Sequence, residues 1–167
     1  MHPGDLLLIR TDHFVSKLIR FGQRGYGKDA AQWNHVAICV GGGKIVEALT
    51  SGVVLSSASK YPAVDVLAVS TRSWQQEGKG VMFDFADAAM RANACSFARS
   101  CVGERYGWPT IAAIAVKVLT RGKVDFGVEG TSICSGLAAR ALERLGYDWN
   151  PWDPAELTPA YLAKTLG

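Results

Sequence analysis

The chain is 167 residues long, 49% hydrophobic, and carries 18 basic against 15 acidic residues for a formal charge of +3. That length and apolar content suffice for a single domain over 1–167 that builds its own core without disulfide or metal staples. The mild charge, with no lysine or arginine cluster, excludes a dedicated nucleic-acid protein and leaves only a weak attraction to anionic polymers or surfaces.

Met1-His2-Pro3-Gly4-Asp5 has no basic n-region and the first apolar run is Leu6 to Ile9, too short for a secretory signal. The longest apolar stretch, Ile111 to Leu119, is interrupted by Lys117 and is too short to span a bilayer. A soluble protein is expected, cytoplasmic or delivered by a route that uses no signal peptide. Residues 5–10 read as a first strand, entered through Pro3-Gly4 with Asp5 at its mouth, and 12–21 as a short helix with Phe14, Leu18 and Phe21 on one side. Residues 22–32 lack periodicity and hold Gly22, Gly25 and Gly27, a surface loop. Loops beside a reactive residue commonly shape its site, which places Gln32 and Trp33 near a substrate groove upstream of His35.

His35 to Val40 and Lys44 to Leu49 are two β-prone runs separated by Gly41-Gly42-Gly43, a hairpin with a three-residue loop. That loop sets His35 opposite Leu49, so His35 and Glu47 become diagonal neighbours on one face, with the carboxylate in reach of an imidazole nitrogen. A two-residue loop would put them on opposite faces. Val53 to Leu55 and Val64 to Val69 add strands, making a small antiparallel sheet of about five, and 70–80 is a polar connector. Residues 84–102 form an alanine-rich helix whose Phe83, Ala86, Met90, Ala94, Phe97 and Cys101 follow the helical period. Gly103 to Trp108 turns the chain, 109–119 is an apolar helix, and 120–130 is a loop with three glycines.

That loop delivers the chain to a second amphipathic helix, with Thr131 or Ser132 as cap, apolar residues at 133, 137, 138, 141, 142 and 145, and Gly146 as stop. Cys134 then lies in the first turn, where unpaired N–H groups and the positive end of the helix dipole favour a thiolate and are placed to hold an oxyanion. Of three histidines, only His35 comes with a carboxylate partner. Cys39 shares the His35 face and is the rival nucleophile, but it is a mid-strand residue with no helix dipole behind it and reads as core. The four cysteines form no Cys-x-x-Cys pair and have no histidine at zinc spacing, so reduced thiols are expected, with no metal and no cofactor. Asp148 to Pro159, with Trp149, Trp152 and three prolines, reads as an extended tail closed by a helix over 159–165.

Gly4-Asp5-Leu6-Leu7-Leu8, Trp33-Asn34-His35-Val36-Ala37-Ile38, Gly43-Lys44-Ile45-Val46-Glu47-Ala48 and Ile133-Cys134-Ser135-Gly136-Leu137 together resemble the NlpC-like branch of the papain-like cysteine peptidases. The order is permuted: the strands lead and the Cys-Ser-Gly helix trails, as in the circularly permuted, YiiX-like group, over roughly residues 3–162. The resemblance implies an α+β, permuted papain-like fold with Cys134 as nucleophile, His35 as general base and Glu47 as the residue that orients it. In unpermuted members the Glu47 position is often a second histidine, and an aspartate usually stands where this chain has Ile133. Tyr106, in Gly103-Glu104-Arg105-Tyr106, is similar to a tyrosine beside the site in that family, which implies a hydroxyl facing an oxyanion or substrate carbonyl.

The function implied is hydrolysis through a thioester, first of an amide in a cell-wall peptide. The alternatives are a lipid-directed acyltransferase or thioesterase of the same fold, and a non-catalytic binding module. The partner expected is a peptide or acyl substrate, with no nucleic acid and no stable membrane insertion; oligomeric state is left open.

Overall fold

The computed structural model describes residues 1–70, 73–75, 82–84, 88–105, 134–147 and 157–166. They form a mixed helix and sheet structure compatible with the α+β class. Strands β1 (Leu6–Ile9), β2 (His35–Gly41), β3 (Lys44–Leu49), β4 (Gly52–Ser57) and β5 (Val66–Val69) make a five-stranded sheet in the order β4-β3-β2-β1-β5, every neighbour antiparallel. The described helices are α1 (Phe14–Gly22), α2 (Lys28–Ala31), α3 (Ala88–Ser100), α4 (Cys134–Glu143) and α5 (Pro159–Leu166). None is long and apolar enough to cross a membrane.

The β2–β3 register is the one the three-glycine loop predicts: Ala37 opposes Glu47, Ile38 opposes Val46 and Cys39 opposes Ile45. Gly41, Gly42 and Gly43 all take positive φ, which side-chain-bearing residues resist, and the register slips by one between Cys39 and Gly41 as the chain turns. Alternation then sorts the sheet into two faces. Leu6, Leu8, Val36, Ile38, Val46 and Ala48 share a core with α3 and α4, while Leu7, Ile9, Ala37, Cys39 and Ile45 form a separate cluster with Ala58, Tyr61 and Val66. Each large aliphatic side chain buried this way contributes roughly 1.5–3 kcal/mol.

Helix α4 lies on the first face through Leu137, Ala138, Ala141 and Leu142, the alanines allowing a close approach. It ends as predicted at Gly146, with φ 86°, where the Gly146 N–H donates to the Glu143 carbonyl at 2.9 Å and the Tyr147 N–H to Leu142 at 3.1 Å. Helix α3 is tied to the sheet by a buried ion pair, Arg91 Nη2 to Asp5 Oδ1 at 2.9 Å, and by Arg99 Nη2 donating to the Val40 carbonyl at 2.9 Å. Past its end the chain crosses β4 so closely that a Cβ at Gly52 would sit 2.7 Å from the Glu104 carbonyl oxygen, so only glycine fits there. The α5 start is capped from a distance: buried Gln23 accepts the Ala160 N–H at 2.8 Å and donates to the Trp33 carbonyl at 3.2 Å.

Three local expectations change. The segment 22–32 carries a 3₁₀ turn at Arg24–Tyr26 and the short α2 rather than irregular loop. The polar connector holds β6 (Ser73–Gln75), paired with β7 (Met82–Asp84), so Phe83 and Asp84 belong to a strand and the described helix runs from Ala88. Cross-strand pairing outweighs the weak helical periodicity at that boundary. Phe21 does not face the core; it is 56% exposed, with the Arg24 guanidinium stacked 4.5 Å from its ring. The expected helix over 109–119, the loop over 120–130 and the tail over 148–156 lie outside the described residues.

Candidate active site

His35 is set at the entrance of β2 by its neighbour Asn34. Buried Asn34 accepts from the Thr11 N–H at 3.2 Å and the Thr11 hydroxyl at 2.8 Å, and its amide donates to the Thr11 carbonyl at 2.9 Å. Three bonds to one residue at the exit of β1 leave the first β2 residue little freedom. Across the hairpin, His35 Nε2 meets Glu47 Oε2 at 2.9 Å, the diagonal contact that the register requires. The hydrogen bond and charge of Cys134, carried by α4, also act on the ring. The backbone N–H groups of Val36 and Ser135 favour the thiolate over the thiol.

Cys134 is 6% exposed and Glu47 fully buried. Burial works against every charge here, yet the partners prevail. For His35, the hydrogen bonds to Cys134 and Glu47 and the negative charge of both raise the imidazole from 6.5 to about 9. For Cys134, burial is outweighed by the hydrogen bond and charge of His35 and by the two backbone N–H groups, and the thiol is lowered. Burial would raise Glu47 as well, but His35, Lys60, Ser56 and Tyr61 hold it at about 2. Thiolate and imidazolium are favoured as a pair, as nucleophilic chemistry at sulfur needs.

No family model matches this chain, and no curated protein matches it either.

Gln32 accepts from Arg10 Nη1 at 3.5 Å and donates to the Asp29 carbonyl at 3.0 Å, while Trp33 packs partly buried against the helix-side core. Both line a surface hollow of about 450 Å³ with Tyr26, Lys28, Leu67 and Lys164, and its lining includes neither Cys134, His35 nor Glu47. Tyr106 lies outside the described residues. Cys39 is buried in the sheet face, its carbonyl approached by Cys95 Sγ at 3.6 Å, and all four thiols are free. Among the described residues no group of histidine, cysteine and acidic side chains has the arrangement of a metal site.

Lys60, Tyr61 and Ser56 were not found from the sequence. The Tyr61 hydroxyl donates to Glu47 Oε2 at 2.6 Å, and Lys60 Nζ lies 2.5 Å from Oε1. Tyr61 is pushed up by burial and by the hydrogen bond and charge of Glu47, so it stays a donor. The signal available was the two-residue Thr50-Ser51 turn, which pairs Leu49 with Gly52 and so puts Ser56, two residues beyond the Glu47 partner Val54, on the Glu47 face.

Proposed function

We propose that this chain is a cysteine hydrolase with a permuted papain-like (NlpC-like) fold, and that it cleaves an amide bond in a cell-wall-type peptide through a thioester. The reading is supported by one observation: the buried Glu47 carboxylate lies 2.9 Å from His35 Nε2, and the hydrogen bond and charge shared by His35 and Cys134 raise the imidazole and lower the thiol.

In the proposed cycle the thiol proton resides on His35 and the Cys134 thiolate attacks the carbonyl carbon, moving the π electrons onto oxygen. The developing oxyanion accepts from N–H groups at the α4 start, where that of Ser135 favours the thiolate. As the C–O double bond re-forms, the C–N bond breaks and the imidazolium gives its proton to the leaving amine. Water then attacks the thioester, His35 takes one of its protons, the C–S bond breaks, and acid and thiolate are released. Glu47 holds the ring in one tautomer and stabilises its charged form throughout.

The test is hydrolysis of a panel of wall-derived peptides and acyl esters by the wild type and Cys134→Ala. Amide cleavage is expected from the wild type, with kcat reduced by several orders of magnitude in the variant. Equal turnover by the variant would remove Cys134 from the chemistry, and a wild type that cut only esters would move the substrate to the lipid-directed class.

A further inference from the structure

The Glu47 carboxylate has more partners than orienting one imidazole requires. Oε2 is shared by His35 Nε2 at 2.9 Å and the Tyr61 hydroxyl at 2.6 Å. Oε1 is buried without an aligned hydrogen bond, and what faces it is the Lys60 ammonium at 2.5 Å. Lys60 comes from the 3₁₀ turn Ala58–Lys60 that follows β4, and its side chain is about one-third exposed (35%), so the cation enters from the solvent side. It is held there by a 3.4 Å hydrogen bond to Ser56 Oγ and lies 4.8 Å above the Tyr61 ring. The titratable or charged groups facing Glu47 are His35 from β2 and Lys60 and Tyr61 from the turn. Those facing His35 are Glu47 from β3, Cys134 from α4 and the Tyr61 ring, its centroid 6.3 Å away.

A buried carboxylate answering to an imidazolium alone would hold the proton of that ring too firmly for transfer to a leaving group. A second cation on the far oxygen keeps the carboxylate ionised while dividing its pull. We propose that Lys60 is a positioning residue: its ammonium, braced by Ser56 and Tyr61, fixes Glu47 with one oxygen turned to His35 and tempers the hold of that carboxylate on the imidazolium proton. This rests on the hydrolase reading above, in which His35 must both take and give a proton.

The experiment follows the His35 imidazole by heteronuclear NMR against pH in the full chain, for the wild type, Lys60→Met, Lys60→Gln and Lys60→Arg. The wild-type midpoint is expected well above the 6.5 of an unperturbed imidazole. Both neutral variants should raise it further by about one pH unit, a tenfold tighter proton, because the opposing cation is gone. Lys60→Arg, which keeps the charge, should restore the wild-type midpoint. Neutral variants that leave a raised midpoint unmoved, or an arginine that moves it as far as methionine does, would overturn the Lys60 assignment alone. A wild-type midpoint at 6.5 would instead overturn the imidazolium–thiolate reading and the inference with it.

Discussion

Two carboxylates among the described residues are buried, Asp5 at 3% exposure and Glu47 at 0%, and the molecule compensates them differently. Asp5 receives the Arg91 guanidinium at 2.9 Å on Oδ1 and the His2 backbone N–H at 2.5 Å on Oδ2. Neither donor changes its protonation in the working pH range, so that charge is balanced once and serves to hold α3 against β1. Glu47 is balanced by an imidazole that titrates and by a lysine that reaches in from solvent. The lesson is that burial of an acid does not reveal its use; the nature of its partners does.

The two carboxylates should respond differently to substitution and to pH. The largest effect is expected at the static pair. Arg91→Met should leave Asp5 charged, buried and poorly compensated, and should lower unfolding free energy by about 3–5 kcal/mol, the usual consequence of removing one member of a buried ion pair. Urea unfolding measures the loss, and alkylation of Cys134 by iodoacetamide against pH should keep its wild-type profile. A displaced profile would mean that the two carboxylates are coupled.

Next in size is the transmitting pair. His35→Ala should return Cys134 to a thiol of ordinary or raised pKa, and alkylation of the Cys134 peptide at pH 6 should slow about 100-fold, since a free thiol near 8.5 is then almost wholly protonated. Mass spectrometry resolves it from Cys39, Cys95 and Cys101. Unchanged labelling at pH 6 would show that the helix start, and not the imidazole, lowers the thiol.

The smallest effect is the pH dependence of melting. Glu47, lowered from 4.5 to about 2, contributes stability that is present above pH 4.5 and is lost as pH falls toward 2. Glu47→Gln should flatten that acid decline. On the alkaline side the contributions oppose. His35, raised to about 9, stabilises fully below pH 6.5 and loses that contribution as pH rises through 9, while the lowered Cys134 gains over the approach to the ordinary thiol value. Little slope is expected there in the wild type. In Cys134→Ala only Glu47 is left to hold the imidazole above 6.5 against burial, so its midpoint by NMR should drop below that of the wild type; an unmoved midpoint would show that the thiol does not raise it.

What could be read without coordinates was whatever periodicity and turn chemistry control. Three glycines between two β-prone runs specify a register, and a register specifies that His35 and Glu47 share a face, because side chains alternate with period two. That Cys134 lies on a helix stopped by Gly146 follows in the same way from the 3.6-residue period and a positive-φ stop. The paired strand inside the polar connector was not legible, because a three-residue strand such as Ser73–Gln75 draws its stability from its partner.

The hairpin, the face that carries His35 and Glu47, and the helix that carries Cys134 follow from the amino-acid order, since each depends on residues within one or two turns or strands of each other. That Arg91 closes on Asp5, and that Lys60 and Tyr61 fold back over Glu47, is legible only in the packed fold. Those contacts depend on the angle at which α3 and α4 cross the sheet and on a single 3₁₀ turn after β4, and packing of the whole core sets both.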